Sequence, residues 1–157
     1  MRRAIDAKPA GTWGDAPTSS VTLAFEDRHR RRIRMHDDAG EPFLLDLAEA
    51  TQLRDGDGLM LQEGGVIAVR AAEERVADIT ARTTVNATRI AWHIGNRHTP
   101  LQVLADGTLR ITYDHVLIAM VEGLGAAVTE GVASFQPEGG AYAAGHHDHG
   151  HSHDTDH

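Results

Sequence analysis

A run of histidines near the end of this chain is its clearest chemical feature. The 157-residue sequence has 11 histidines, and six fall within its last twelve residues: His146, His147, His149, His151, His153 and His157. A neutral imidazole suits Ni(II), Zn(II) and Cu(II), whereas Ca²⁺ and Mg²⁺ prefer oxygen ligands. The run therefore predicts a binding segment for late transition metals.

The spacing of these histidines indicates how they bind. Purification tags are contiguous histidines, but these alternate with residues such as Asp148, Gly150 and Ser152, which argues against a tag. A chain without fixed geometry discriminates poorly between metals, and Cu(II) gains most from raw affinity. Because only a neutral imidazole binds a metal, affinity should fall as the pH drops from about 7.5 to 5.5.

Composition excludes several classes of function. The chain has no cysteine, so disulfides and thiolate metal ligands are excluded. Its formal charge of -8 argues against nucleic acid as a partner. The longest apolar run, Val116–Val121, is far shorter than a bilayer span of roughly 20 residues, so we expect no membrane partner. The start of the chain lacks the apolar region of a secretory signal, which predicts a cytoplasmic protein.

Hydrophobic periodicity divides the chain into a β-rich part and a mixed part and predicts an α+β protein. Short strands are predicted at 21–25, 31–35, 43–48, 58–62 and 66–71. A strand (75–81), a helix (83–96), a hairpin (100–104 and 108–112), a helix (114–123) and a strand (126–135) follow, which is the ferredoxin-like βαββαβ order. The predicted divisions are an N-terminal β-domain over 1–73, a ferredoxin-like domain over 74–142 and a disordered tail over 143–157.

Arginines cluster where the third strand is expected. Arg28, Arg30, Arg31, Arg32 and Arg34 are interleaved with apolar residues. This pattern is typical of a solvated strand face or of an edge strand.

Two histidines outside the tail are candidate metal ligands. His98 follows a predicted helix end and precedes Thr99-Pro100, which places it on an ordered corner. One histidine binds a metal weakly and could equally be a surface or capping residue, but a twofold axis beside His98 would pair it with its copy. His115 begins the second helix beside the N-cap Asp114 and is either a first-turn residue or a weak ligand.

Four segments carry a resemblance to a known family. They are LRDGDGL (53–59), AW with HIGNRHTPLQV (91–103), YDHVL (113–117) and FQPEGGAYAAGH (135–146). Together they resemble the UreE family of urease accessory proteins, which are nickel metallochaperones. The resemblance implies a homodimer with a peptide-binding-like N-terminal domain and a ferredoxin-like dimerisation domain, in which His98 is the interface metal ligand. It further implies delivery of Ni(II) to apo-urease together with the urease accessory GTPase, and no enzymatic activity.

One segment departs from the family, and two other functions stay open. Some members carry a His-x-His pair where this chain has Tyr113-Asp114-His115, so a peripheral site at His115 would need oxygen from Tyr113 or Asp114. A histidine-rich protein that stores or detoxifies Ni, Zn or Cu is the main alternative. A metal hydrolase is a third, but the sequence has no HExxH, GxSxG or Walker motif.

Overall fold

Two β-sheets follow one another along the chain. The computed structural model describes residues 1–14 and 16–139. The first sheet contains β1 (Arg2–Lys8), β2 (Ser19–Leu23), β3 (His29–His36), β4 (Pro42–Gln52), β5 (Gly58–Leu61) and β6 (Val66–Ala71), with a short 3-10 helix at Phe25–Asp27. The second part contains β7 (Glu73–Thr80), α1 (Thr84–Asn96), β8 (Gln102–Val103), β9 (Leu109–Thr112), α2 (His115–Gly123) and β10 (Ala127–Ser134).

The first sheet has the strand order β2-β6-β5-β1-β4-β3. Its β1/β4 and β2/β6 pairs are parallel, and its other pairs are antiparallel. In β4, Phe43, Leu45 and Leu47 alternate onto one buried face, as the period of two in a half-buried strand requires. These side chains form one core with Leu59 of β5 and Ile67 of β6.

Strand β1 was not predicted, because its sequence lacks apolar alternation. Only Ala4 is fully buried in it, and Ile5 is partly exposed. The strand nevertheless lies inside the sheet, parallel to β4 and antiparallel to β5. Backbone pairing on both sides holds it there, which hydrophobic periodicity does not reveal.

The second sheet confirms the predicted βαββαβ unit and the α+β class. Its strand order is β10-β7-β9-β8, and every pair is antiparallel. Both helices bury an apolar stripe against this sheet, through Ile90 and Ile94 of α1 and Leu117 and Val121 of α2.

Strand β8 is shorter than the predicted segment 100–104. Pro100 has no N–H to donate to β9. The Leu101 carbonyl accepts instead from the Glu138 amide (2.7 Å), and the Val103 amide donates to Glu138 Oε1 (3.1 Å). The chain after β10 therefore supplies partners at this edge.

Arg28 corrects the interpretation of the arginine cluster as wholly solvated. This side chain is only 1% exposed, and its guanidinium donates to the carbonyls of Leu23 (3.0 Å) and Phe135. The Phe25 ring packs edge-on against Phe135, with ring centroids 5.4 Å apart. Burial lowers the pKa of Arg28, while the nearby Glu74 carboxylate opposes that shift. Arg28 thus joins the two sheets, whereas β3 itself lies at a sheet edge as predicted.

Candidate metal-binding site

His98 lies on the turn that ends helix α1. The Thr99 amide donates to the Ile94 carbonyl (3.3 Å), and the His98 amide donates to the Gly95 carbonyl (2.9 Å). These two hydrogen bonds form a Schellman motif, in which the residue directly after the C-cap adopts the left-handed backbone conformation. In this turn that residue is His98, with φ of 57°.

His98 is the only non-glycine residue with positive φ among those that the structure describes. The left-handed region places Cβ against the following carbonyl and costs about 1 kcal/mol or more for an L-residue. Backbone strain of this kind is concentrated at functional sites, which makes His98 a candidate for a functional role. The His98 side chain is exposed and therefore free to reach a ligand.

The outer face of α1 presents two large apolar side chains to solvent. Val85 is 62% exposed and Trp92 is 63% exposed. Seven residues separate them, so they lie within about 20° of each other around the helix. The Trp92 ring also contacts the His93 ring edge-on, with centroids 5.0 Å apart. These two side chains lie on the helix whose C-terminal turn contains His98.

The chain leaves the second sheet along a segment anchored close to His98. Residues 135–138, which we call the exit segment, bond both to the first sheet and to the loop that follows His98. The Glu138 amide reaches Leu101, three residues after His98. On the other side, Arg54 Nη1 donates to the Pro137 carbonyl (3.2 Å), and Gln136 Oε1 accepts from the Asp55 amide (2.8 Å).

His115 lies at the first turn of α2, exposed beside a cavity of about 250 Å³ that Tyr113, Glu122 and Glu130 also line. Asp114 Oδ1 caps the helix by accepting from the amides of Val116 and Leu117 (2.9 and 3.1 Å). The Arg75 guanidinium lies 3.5 Å from the centroid of the Tyr113 ring and 3.6 Å from Glu130 Oε1. This positive charge opposes binding of a cation there.

A single chain does not assemble a metal site from the part that the structure describes. Within residues 1–14 and 16–139, no group of three or more His, Asp or Glu side chains could hold a metal ion. His93 and His98 are separated by the turn at the end of α1, and His93 packs against Trp92.

Comparison with known proteins decides the family. The model of the UreE urease accessory protein N-terminal domain matches residues 2–72, and that of the C-terminal domain matches residues 74–157. The chain belongs to the UreE family.

Individual UreE proteins match over nearly the whole chain. Urease accessory protein UreE of Bradyrhizobium sp. (strain BTAi1) is 51% identical over 151 residues, which cover 96% of this chain and 73% of that protein. The UreE protein of Chelativorans sp. (strain BNC1) is 49% identical over 143 residues, or 91% of this chain and 89% of that protein. The UreE protein of Agrobacterium fabrum (strain C58) is 46% identical over 154 residues, which cover 98% of this chain and 93% of that protein.

Only two of the predicted metal ligands lie in the part of the chain that the structure describes. His98 and His115 are both described, and they lie at the end of α1 and the start of α2. The tail residues lie outside the described part of the chain: His146, His147, His149, His151, His153 and His157. No helix in the described residues is long and apolar enough to cross a membrane.

Two features of the site went unpredicted. The left-handed conformation of His98 was missed because that position at a helix end is usually occupied by glycine or asparagine, and a histidine gives no such signal. The end of α1 at Asn96 agrees with the predicted range 83–96. The anchoring of the exit segment was also missed, although Pro137 after the apolar Phe135 marks the end of a strand.

Proposed function

We propose that this UreE protein is a nickel metallochaperone for urease maturation. The tail histidines capture Ni(II), and a pair of His98 imidazoles in a homodimer orders the ion before transfer to apo-urease with the urease accessory GTPase. The strained, exposed His98 is the observation that carries this proposal. The protein acts as an accessory factor rather than as an enzyme.

The homodimer is needed because one chain presents only one ordered imidazole at this corner. An isologous contact beside His98 brings both copies together at the twofold axis. The exposed Val85 and Trp92 face of α1 supports such a contact, since large apolar side chains gain from burial. Two tail imidazoles then complete a four-nitrogen site suited to Ni(II), and also to Zn(II) or Cu(II) in vitro.

The anchored exit segment supports transfer between the tail and His98. Glu138 is bonded to Leu101, and His146 follows eight residues later. Eight residues span at most about 28 Å, so the first tail histidines start within reach of the His98 corner. Each imidazole binds the metal through one nitrogen, so the histidine ligands of Ni(II) can be exchanged one at a time during transfer.

We assign the three parts of the chain different roles. Residues 1–73 form the peptide-binding-like β-domain, residues 74–142 provide dimerisation and the ordered site, and residues 143–157 collect metal. We keep His115 as a weak, peripheral ligand, because its neighbour Asp114 is used for capping and Arg75 lies close by.

Nickel titration calorimetry with mass determination in solution tests the proposal. The variants are His98→Ala, a six-fold tail variant with serine at every tail histidine, and both combined; His36→Ala, at the end of β3, is the matched control. We expect the tail variant to keep about one Ni(II) per dimer and the combined variant to lose it. If the tail variant binds no nickel, storage by the tail becomes the better account.

A further inference from the structure

Strand β3 offers an open sheet edge rich in positive charge. It pairs with β4 on one side, and no strand in the described residues pairs with its other side. It carries four arginines and no acidic residue: Arg30, Arg31, Arg32 and Arg34. An open edge can add an extended segment through backbone hydrogen bonds, and side-chain charge then selects the segment.

Nearby carboxylates neutralise this edge only in part. Asp46 of β4 accepts a hydrogen bond from Arg3 Nε (2.8 Å) and lies 3.8 Å from Arg32 Nε. The hydrogen bond from Arg3 lowers the pKa of Asp46, and Arg31 and Arg32 add to that shift through their charge. One carboxylate is therefore shared among three guanidinium groups.

The remaining charges leave a positive surplus. Arg30 pairs with Asp27 (3.0 Å), and Glu49 of β4 also has an interaction partner. Arg34 forms no ion pair within the described residues and is exposed. Strands β3 and β4 together thus carry four arginines and only two carboxylates, Asp46 and Glu49. An acidic extended segment is the complementary partner, whereas the overall charge of -8 disfavours a nucleic acid.

The last part of this chain is itself an acidic segment, and the exit segment that leads into it bonds to the residue directly before β3. Arg28 immediately precedes β3 and bonds to Phe135 of the exit segment. Residues 140–157 follow and can extend up to about 60 Å, whereas the eight residues of β3 need about 26 Å. The last twelve of them contain Asp148, Asp154 and Asp156 and no Lys or Arg.

We propose that residues 146–157 dock along the edge of β3 when they carry no metal. Divalent cations bound by the tail histidines offset the charge of the three aspartates, so loading releases the segment from the arginines. This release rests on the proposed nickel capture, whereas the docking itself does not. The β3 edge then holds the empty tail, and only the loaded tail is freed toward His98.

Paramagnetic broadening in the full-length protein tests this docking. Because the chain has no cysteine, Ser152→Cys accepts a spin label at one position only. We expect the label to at least halve the amide signals of residues 30–36 in about 10 mM salt, where the Debye length is ~30 Å, and to spare them in about 1 M salt. Adding Zn(II), a diamagnetic substitute for nickel, restores the signals.

Charge reversal distinguishes docking on β3 from general attraction. In the double variant Arg32→Glu with Arg34→Glu, the broadening disappears, whereas the control Arg70→Glu with Arg82→Glu, two exposed arginines outside β3, retains it. Broadening that persists in the first variant, or that spreads evenly over the surface, overturns the inference. An absence of broadening on β3 also overturns the inference, and that edge is then available to bind a segment of another protein.

The two proposals fail independently. If docking is absent but nickel calorimetry still depends on His98, only the β3 inference is lost. If docking is present but His98→Ala leaves nickel binding unchanged, only the proposed function is lost. Docking that Zn(II) does not reverse contradicts the release step.

Discussion

His98 and Gly125 occupy the same position at the ends of the two helices. After α2, the Gly125 amide donates to the Glu122 carbonyl (2.9 Å), and the Ala126 amide donates to the Val121 carbonyl (3.1 Å), which repeats the bonds that follow α1. Gly125 has φ of 92° and His98 has φ of 57°. The same turn is thus formed after α2 by glycine, which adopts positive φ readily, and after α1 by histidine, which does so only with strain.

Exchanging these residues should separate stability from metal binding. We expect His98→Gly to raise the free energy of unfolding of the metal-free protein by about 0.5–1 kcal/mol, because it relieves the left-handed strain. Nickel binding in the tail-substituted background should be lost. Urea unfolding and nickel calorimetry measure the two effects.

A substitution at the equivalent position after α2, Gly125→Ala, provides the control for this prediction. A Cβ at Gly125 would lie 3.7 Å from Asn86 Nδ2, which is an ordinary contact. Gly125→Ala should therefore destabilise the protein by about 1 kcal/mol through backbone strain alone. Equal stability of both variants and the unmodified protein would contradict the strain at His98.

Removing the buried Arg28 side chain should loosen the exit segment. In Arg28→Met the carbonyls of Leu23 and Phe135 lose their donor, and a buried unsatisfied group costs about 1–3 kcal/mol. We expect the unfolding free energy to fall by about that amount and the amides of Val103 and Glu138 to exchange faster with deuterium. Arg34→Met, at an exposed position, should stay within about 0.5 kcal/mol of the unmodified protein.

Acid should weaken the first sheet through Asp37. The hydrogen bond from Arg2 (2.9 Å) lowers the pKa of Asp37 from 3.8 to about 2, helped by the amides of Ala39 and Glu41. Because the pKa is depressed in the folded state, this stabilisation is present above pH 4 and is lost as the pH falls toward 2.

A substitution isolates this contribution. Asp37→Asn should lower stability at neutral pH and flatten the fall in unfolding free energy between about pH 4 and pH 2. Glu41→Gln, at a side chain that is 72% exposed, should leave the profile nearly unchanged. Denaturant unfolding at several pH values measures both, and an identical slope in Asp37→Asn would contradict the assignment.

The exposed face of α1 should control the oligomeric state. If Trp92 lies in the homodimer contact, Trp92→Glu places an unpaired charge there and should dissociate the dimer at micromolar concentration. Val132→Glu alters an equally exposed residue on β10 and should leave the mass unchanged. Light scattering after gel filtration distinguishes the outcomes, and a dimeric Trp92→Glu protein would place the contact elsewhere.

The sequence predicted the parts of the fold that carry local signals. Apolar periodicity located both helices, and the N-cap Asp114 was predicted from its residue type. Strand β1 and the buried Arg28 were missed because their positions depend on distant partners, β4 and Phe135. His98 was found by its neighbours in sequence, but its strained backbone is visible only in the folded turn.

The exit segment also determines how force enters the molecule. A pull applied at Gly139 passes through Glu138 to the loop after α1. It also passes through Pro137 to Arg54, between β4 and β5, and through Phe135 to Arg28, which directly precedes β3. The load is shared by hydrogen bonds in both halves before it reaches β10. A protein that grips the end of the chain therefore pulls on both sheets at once.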